Sequence, residues 1–246
     1  MCGRYELHSS PAAIALAFGL PHPPDVHARY NIAPSTDVPI VRINAEGQRE
    51  LVRMRWGLVP RWAKDPAIGA RMINARGETL PDKPSFRTAY RRHRCLIPAD
   101  GFYEWMTVGG GEASRKQPVH IGMADGALFG FGGLYERWLS EDGDVLDSCT
   151  IVTTEANALL KPVHDRMPMI VSPAHYARWL DPANADVTDL IAPYPSAAMA
   201  YHPVSPRVNS VRHDDASLIE RTAAASAGSD GEHEPPPAAP EQESLF

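Results

Sequence analysis

The residue with the most distinctive chemistry is Cys2, directly behind the initiator methionine. Methionine before so small a residue is ordinarily removed, which leaves an α-amine and a thiol on adjacent carbons, a 1,2-aminothiol. An α-amine has a pKa near ~8 against ~10.4 for lysine, so at neutral pH roughly a tenth of it is unprotonated and nucleophilic. Such an amine attacks an aldehyde to give an imine, and the adjacent thiol then closes a five-membered thiazolidine with the advantage of an intramolecular reaction. Position alone favours a frayed, incidental chain end. The other thiols, Cys95 and Cys149, lie in apolar runs and read as buried, inert small hydrophobes. Three cysteines this far apart make neither a disulfide framework nor a zinc site. With no Gly-rich phosphate loop and no metal-ligand spacing in the sequence, no metal and no cofactor are expected.

A reactive chain end needs a frame to hold it. At 246 residues, 43% of them hydrophobic, the chain is long enough to bury one substantial core. Ser10 as N-cap, Pro11 at the first helical position and Gly19 at the C-cap predict a short helix. Strands dominate afterwards. Val38 to Ile43 and Leu51 to Arg55 flank a turn at Ala45-Glu46-Gly47, and further β-branched or aromatic runs cover Pro118 to Met123, Leu128 to Leu134, Cys149 to Thr153 and Met167 to Val171. Gly109 to Gly111 read as a hairpin loop. Ser85 is expected to cap a helix FRTAYRRH, and Ser172-Pro173 to open another, AHYARWL. The expected class is α+β, a single compact domain over residues 1–221 with mostly antiparallel β-sheets and short peripheral helices. Residues 222–246, rich in Ala, Pro, Gly and acids, have almost nothing to bury and are expected to be a disordered tail. The net charge of −6 is concentrated there, because Asp230, Glu232, Glu234, Glu241 and Glu243 all follow the last basic residue, Arg221. Residues 1–221 are nearly neutral, and a basic face is compatible with them. MCGRYELHSS lacks an apolar signal core, and no stretch has the length of a membrane span. A cytoplasmic monomer without membrane contact is expected.

Six segments bear on function together: MCGRY at the start, YNIAPS (30–35), MRWGLVPRWAKDP (54–66), INARGET (73–79), SFRTAYRRHRCLIPADGFYEW (85–105) and KPVHDRMP (161–168). In this order they closely resemble the SRAP (SOS-response-associated peptidase) family across residues 1 to about 210. The resemblance implies an SRAP-like fold with a positively charged groove, and a thiazolidine DNA–protein crosslink at abasic sites in single-stranded DNA, within the DNA damage response. It also implies a site built from Cys2, Asn74, Glu104 and His164. An abasic sugar is mostly a closed hemiacetal, and Glu104 or His164 would move the proton that opens the ring. Among Phe102, Tyr103 and Trp105, the Glu104 carboxyl would be desolvated toward proton donation, although an alternating strand equally fits a solvent-facing Glu. Asn74 cannot titrate and would orient Cys2 or the opened sugar; by itself, an Asn before Ala-Arg-Gly reads as a turn residue. His164, next to Asp165 and Arg166, equally fits a hydrogen-bonded structural role.

A lesion without a base offers phosphates and neighbouring base faces rather than a base-edge code. Arg4, Arg76, Arg87 and Arg166, inside or beside the motifs, are the expected phosphate contacts. Trp62, beside Arg61 and Lys64, is expected to stack on a flanking base, whereas Trp56 reads as core. Arg91, Arg92 and Arg94 extend a basic run of the kind that is usually a solvated face. The end Gln242-Glu243-Ser244-Leu245-Phe246 resembles the peptides that dock on the bacterial sliding clamp, with Gln242, Leu245 and Phe246 as anchors and Glu243 departing from the usual Leu. Two other classes remain open: a cysteine peptidase, whose action would extend at least to Met1 removal, and a non-covalent reader of modified or single-stranded DNA.

Overall fold

The structure, a computed structural model, describes residues 2–111, 114–184 and 186–223. The expected tail and its Gln242, Leu245 and Phe246 anchors lie outside the described residues. In chain order the elements are β1 (Tyr5–Leu7), α1 (Pro11–Phe18), β2 (Arg29–Ile32), β3 (Asp37–Ile43), β4 (Arg49–Trp56), β5 (Asn74–Arg76), α2 (Arg87–Arg92), β6 (Arg94–Ala99), β7 (Gly101–Val108), β8 (Arg115–Met123), β9 (Phe129–Leu139), β10 (Val145–Glu155), β11 (Arg166–Pro168), β12 (Ile170–Val171), α3 (Tyr176–Leu180) and β13 (Met199–Pro203). The expected α+β class and strand runs are present.

Local chemistry accounts for most boundaries. Ser10 Oγ accepts the Ala13 N–H at 3.2 Å, Pro11 starts α1, and Gly19 ends it in the left-handed conformation. Two expectations need correction, and a third holds in part. Helix α2 begins at Arg87 with Phe86 as its cap residue and no side-chain cap, because the Lys83 carbonyl already takes the Phe86 and Arg87 N–H groups and leaves Ser85 no donor to satisfy. Ser172-Pro173 open the next helical run as expected, but without a side-chain cap, and the run starts as a 3-10 turn, Pro173–His175, before α3. The run from Met167 to Val171 is two strands, because the Met169 N–H turns to the Val152 carbonyl and its own carbonyl receives the Gly132 N–H. The chain there passes from β10 to β9.

Two sheets result. The smaller has the order β13-β8-β7-β1-β2, with all its pairs antiparallel. The larger runs β11-β10-β4-β3-β6-β9-β12, and an additional β10–β9 pairing closes β10, β4, β3, β6 and β9 into a barrel-like ring. Strand β10 is the shared element. One of its edges carries β9 and then β11, both antiparallel, and the other carries β4 and then β5, both parallel.

The core lies between the smaller sheet and the ring. Tyr5 packs edge-on against Trp56 and Phe131, and Phe102 does the same against Phe131, with ring centroids 5.4–5.9 Å apart. Trp56 is fully buried, as expected of a core residue. The glycine that follows it is required twice over: Gly57 has φ 132°, and an added Cβ would meet the Gly69 carbonyl oxygen at 2.6 Å. Because strand side chains alternate, the outer face of the smaller sheet turns Tyr103 into a second cluster with Val204, Val208 and Leu218 of the C-terminal segment. Arg94 departs from the expected basic run. It is buried, and its guanidinium donates to the carbonyls of Tyr90, Trp179, Asp181 and Asn184, so it is a structural residue that ties β6 to α3. No helix among the described residues is long and apolar enough to cross a membrane.

Candidate active site

Strand β1 fixes the path of the N-terminal residues. It is sandwiched between β2 and β7, with Tyr5 opposite Phe102, and the Tyr103 N–H donates to the Arg4 carbonyl at 2.9 Å. Extending this antiparallel path back from Arg4 carries Cys2 toward the part of β7 that bears Glu104. Cys2 is fully buried, so position 2 is an ordered part of the core rather than a frayed end. Burial pushes its thiol pKa far up, and the Glu104 carboxylate raises it further; the amino terminus and the Arg4 backbone N–H pull less strongly the other way.

Glu104 lies two residues beyond Phe102 and therefore on the same, inward face of β7. It is 6% exposed, which rules out the solvent-facing alternative. Asn74 opens β5 and is a strand residue, not a turn residue. Its neighbour Ile73 is gripped through its carbonyl by the Trp56 indole N–H at 2.8 Å and the Ile151 N–H at 3.1 Å. So held, the Asn74 side-chain amide donates to the Cys2 carbonyl at 2.8 Å. Its Oδ1 is buried and meets no donor among the described residues. Cys2, Asn74 and Glu104, from three separate motifs, thus converge.

His164 sits just before β11, across β10 from β5. Its Nδ1 receives the Arg166 backbone N–H at 3.0 Å, and the exposed Asp165 carboxylate lies 2.7 Å from the same nitrogen. Accepting the Arg166 N–H at Nδ1 leaves the ring hydrogen on Nε2.

The nominated basic residues divide. Arg76 and Arg87 are exposed. Arg166 is largely buried and makes a two-pronged pair with Glu78 at 2.7 and 2.8 Å, while Nη2 also donates to the Thr153 carbonyl. Arg4 donates to Asn31 Oδ1 at 2.7 Å and to the Val208 carbonyl at 2.9 Å, an anchoring role. Trp62 is 58% exposed, on a loop whose neighbours are pinned: the Val59 N–H donates to Ser148 Oγ, and the Ala63 carbonyl receives the buried Trp138 indole N–H. The ring is thereby presented outward on a rigid base.

Sequence reasoning missed two features. Asn31 of YNIAPS is buried and its amide donates to the carbonyls of Val208, Ser210 and His213, locking the C-terminal segment beneath the N-terminal strand. A buried Asn inside a motif was the available signal. A cluster of Glu6, His8 and Asp100 also gathers on the smaller sheet. The i, i+2 spacing of Glu6 and His8 places both on one face of a strand, but nothing local announces Asp100.

The comparisons with known proteins agree with this architecture. The family model described as SOS response associated peptidase (SRAP) matches residues 1–211. Abasic site processing protein YoqW of Bacillus subtilis is 42% identical over 226 residues, covering 89% of this chain and 99% of that protein. Abasic site processing protein YedK of Escherichia coli is 30% identical, with the same coverage. A crystal structure of a protein from Bacteroides thetaiotaomicron superposes with a TM-score of 0.78 at 25% identity, covering 90% of this chain and all of that one. The chain belongs to the SRAP family.

Proposed function

We propose that this protein captures abasic sites in single-stranded DNA as a covalent thiazolidine on Cys2. The observation that carries the reading is the meeting of Cys2, Asn74 and Glu104, in a chain whose relatives are named abasic site processing proteins. Once Met1 is removed, the Cys2 amine attacks the C1′ aldehyde of the opened sugar. Glu104 or His164 moves the proton from the C1′ hydroxyl to the ring oxygen to open it. The amine and aldehyde lose one water to give an imine. The S–H then adds across the C=N bond, sulfur bonding to C1′ while the proton goes to nitrogen, and the ring is closed. Asn74 Oδ1 is a suitable acceptor for the new N–H or a sugar hydroxyl.

The chemistry of the aminothiol favours this order: the amine forms the imine first, and the neighbouring thiol then adds to that activated carbon within the same residue. In the chain that still carries Met1, burial pushes the Cys2 thiol pKa up, which weighs against a cysteine peptidase, since that chemistry needs a thiolate at neutral pH. An imine left unclosed acidifies the adjacent sugar carbon and invites β-elimination, so lyase cleavage is the side reaction. Arg76, Arg87 and Trp62 supply phosphate and stacking contacts, and Gln242, Leu245 and Phe246 serve as a sliding-clamp anchor. Deleting residues 242–246 is expected to abolish clamp binding and leave crosslinking in solution unchanged.

The test mixes Met1-processed protein with single-stranded oligonucleotide bearing one abasic site and resolves the products on a denaturing gel. Wild type gives a shifted band without reductant. Cys2→Ala retains an amine, and so gives borohydride-trappable imine and strand cleavage but no stable band. Absence of any wild-type band, with processing confirmed by mass, sinks the proposal. Reversible binding alone would identify a non-covalent reader.

A further inference from the structure

On the outer face of the smaller sheet, away from the inward face that carries Glu104, a buried carboxylate is held among imidazoles. Glu6 is 1% exposed, and a carboxyl so deeply placed needs hydrogen-bonding partners. Its Oε2 lies 2.5 Å from His8 Nδ1 and its Oε1 3.1 Å from His120 Nε2. His8 Nδ1 is also 3.5 Å from Asp100 Oδ2, and ligand atoms of Glu6, His8 and Asp100 all fall within 4.8 Å of one another. The 3.5 Å between His8 Nδ1 and Asp100 Oδ2 matches the ~3.3–3.6 Å between neighbouring ligands of a tetrahedral ion with ~2.0–2.2 Å bonds, and the 2.5 Å His8–Glu6 hydrogen bond opens by about 1 Å to admit the ion.

The surroundings are organised as the support of an ion would be. Asp100 Oδ2 accepts the backbone N–H groups of His8 and Ser9 at 2.7 and 2.8 Å, and Oδ1 accepts the Ser9 hydroxyl, so its orientation is set. His120 holds Glu6 from the far side and packs edge-on against Tyr103. Gly101 leaves the space for that contact, since an added Cβ would sit 2.2 Å from His120 Nε2 and 2.9 Å from Glu6 Oε1. His8, stacked on Tyr30, is about one-third exposed and gives an ion an approach from solvent.

We propose that Glu6, His8 and Asp100 form a binding site for a divalent transition-metal ion of the zinc type, with water as the fourth ligand and His120 supporting Glu6. One imidazole and two carboxylates suit Zn²⁺ better than Mg²⁺ or Ca²⁺, which favour all-oxygen shells. The ion takes the place of the proton that His8 shares with Glu6, and that proton leaves to solvent. Glu6 and His8 belong to the segment that follows Cys2, and Asp100 to the bend between β6 and β7, so the ion clips the reactive segment to the sheet.

The test uses the full chain, stripped with chelator, equilibrated with Zn²⁺ and dialysed, with metal content measured by mass spectrometry and affinity by calorimetry. Wild type is expected to retain one Zn²⁺ per chain and to melt at a higher temperature with it. Cys2→Ser is expected to retain the metal, which separates this site from the thiol. Both Glu6→Gln and His8→Gln are expected to weaken binding at least tenfold, and the partly exposed His8 keeps the test valid if Glu6→Gln fails to fold. Cobalt substitution should give d–d bands without thiolate charge transfer. Wild type that retains no Zn²⁺, His8→Gln that binds as tightly as wild type, or loss of the metal in Cys2→Ser would each overturn the assignment.

Discussion

The side-chain amide of Asn74 holds the Cys2 carbonyl oxygen at 2.8 Å, while its own Oδ1, buried beside it, faces no donor among the described residues. One side chain therefore fixes the backbone of Cys2 and keeps an acceptor in reserve. Asn74→Ala removes both. Loss of the hydrogen bond amounts to about 1 kcal/mol, or ~2–4 °C in melting temperature. The crosslinking rate, which depends on placement of the amine, is expected to fall about 100-fold. Single-turnover kinetics beside a melting curve checks the split, and equal losses in both readouts would argue against a positioning role.

Glu104 raises the Cys2 thiol pKa by its charge, after the larger effect of burial. Glu104→Gln keeps the volume and removes the charge. Alkylation of Cys2 is expected to shift to lower pH, while crosslinking is expected to slow if Glu104 carries the proton as proposed. These opposite movements separate an acid–base role from simple damage to the site. A profile for Cys2 alkylation that stays in place would show that the two groups do not interact in solution.

Arg166 holds the Glu78 carboxyl below the usual range, chiefly by its hydrogen bonds, and burial opposes this only in part. A depressed carboxyl contributes stability above its unfolded pKa of about 4.3 and loses it as pH falls through the folded value. Glu78→Gln should flatten the acid limb of the melting profile below about pH 4.3, by less than ~1 kcal/mol because Glu78 is half exposed. The same change releases Arg166. Tighter binding of single-stranded DNA, with a salt slope steeper by about one charge, is then expected if Arg166 contacts phosphate. An unchanged slope would make Arg166 purely structural.

Trp62 stands outward on a pinned loop. Trp62→Ala is expected to leave the melting temperature within ~1 °C and to weaken DNA binding by roughly 10-fold, since a stacked base contributes ~1–3 kcal/mol. Fluorescence anisotropy with an abasic oligonucleotide measures this. Retained affinity would assign the exposed ring to another contact.

Cys2 stood out by its local chemistry, whereas Asn74, Glu104 and His164 were singled out only by the family resemblance, and the arrangement of the four was not legible. An aminothiol is visible from two letters, and the caps of α1 from Ser10, Pro11 and Gly19. Strand β7 was not among the expected strand runs, and the face on which Glu104 lies could not be chosen, because alternation gives two faces and only the partner strand selects one. Asn74 read as a turn residue from its Ala-Arg-Gly neighbours, whereas parallel pairing with β10 overrides that local preference. Arg94 looked like part of a solvated run for the same reason: the carbonyls that receive it come from residues 90 and 179–184. The Glu6, His8 and Asp100 cluster depends on a bend 92 positions away from His8.

Cys2 lies wholly inside the molecule, with its carbonyl tethered and its strand enclosed on both sides. A nucleophile built in this way does not swing out to search. On the proposed reading, the damaged nucleotide has to make the journey, turning its sugar out of the stack and into the protein. The ease of that turn differs sharply between a paired and an unpaired strand. Discrimination would then reside as much in how readily the nucleic acid deforms as in any contact the protein makes with it.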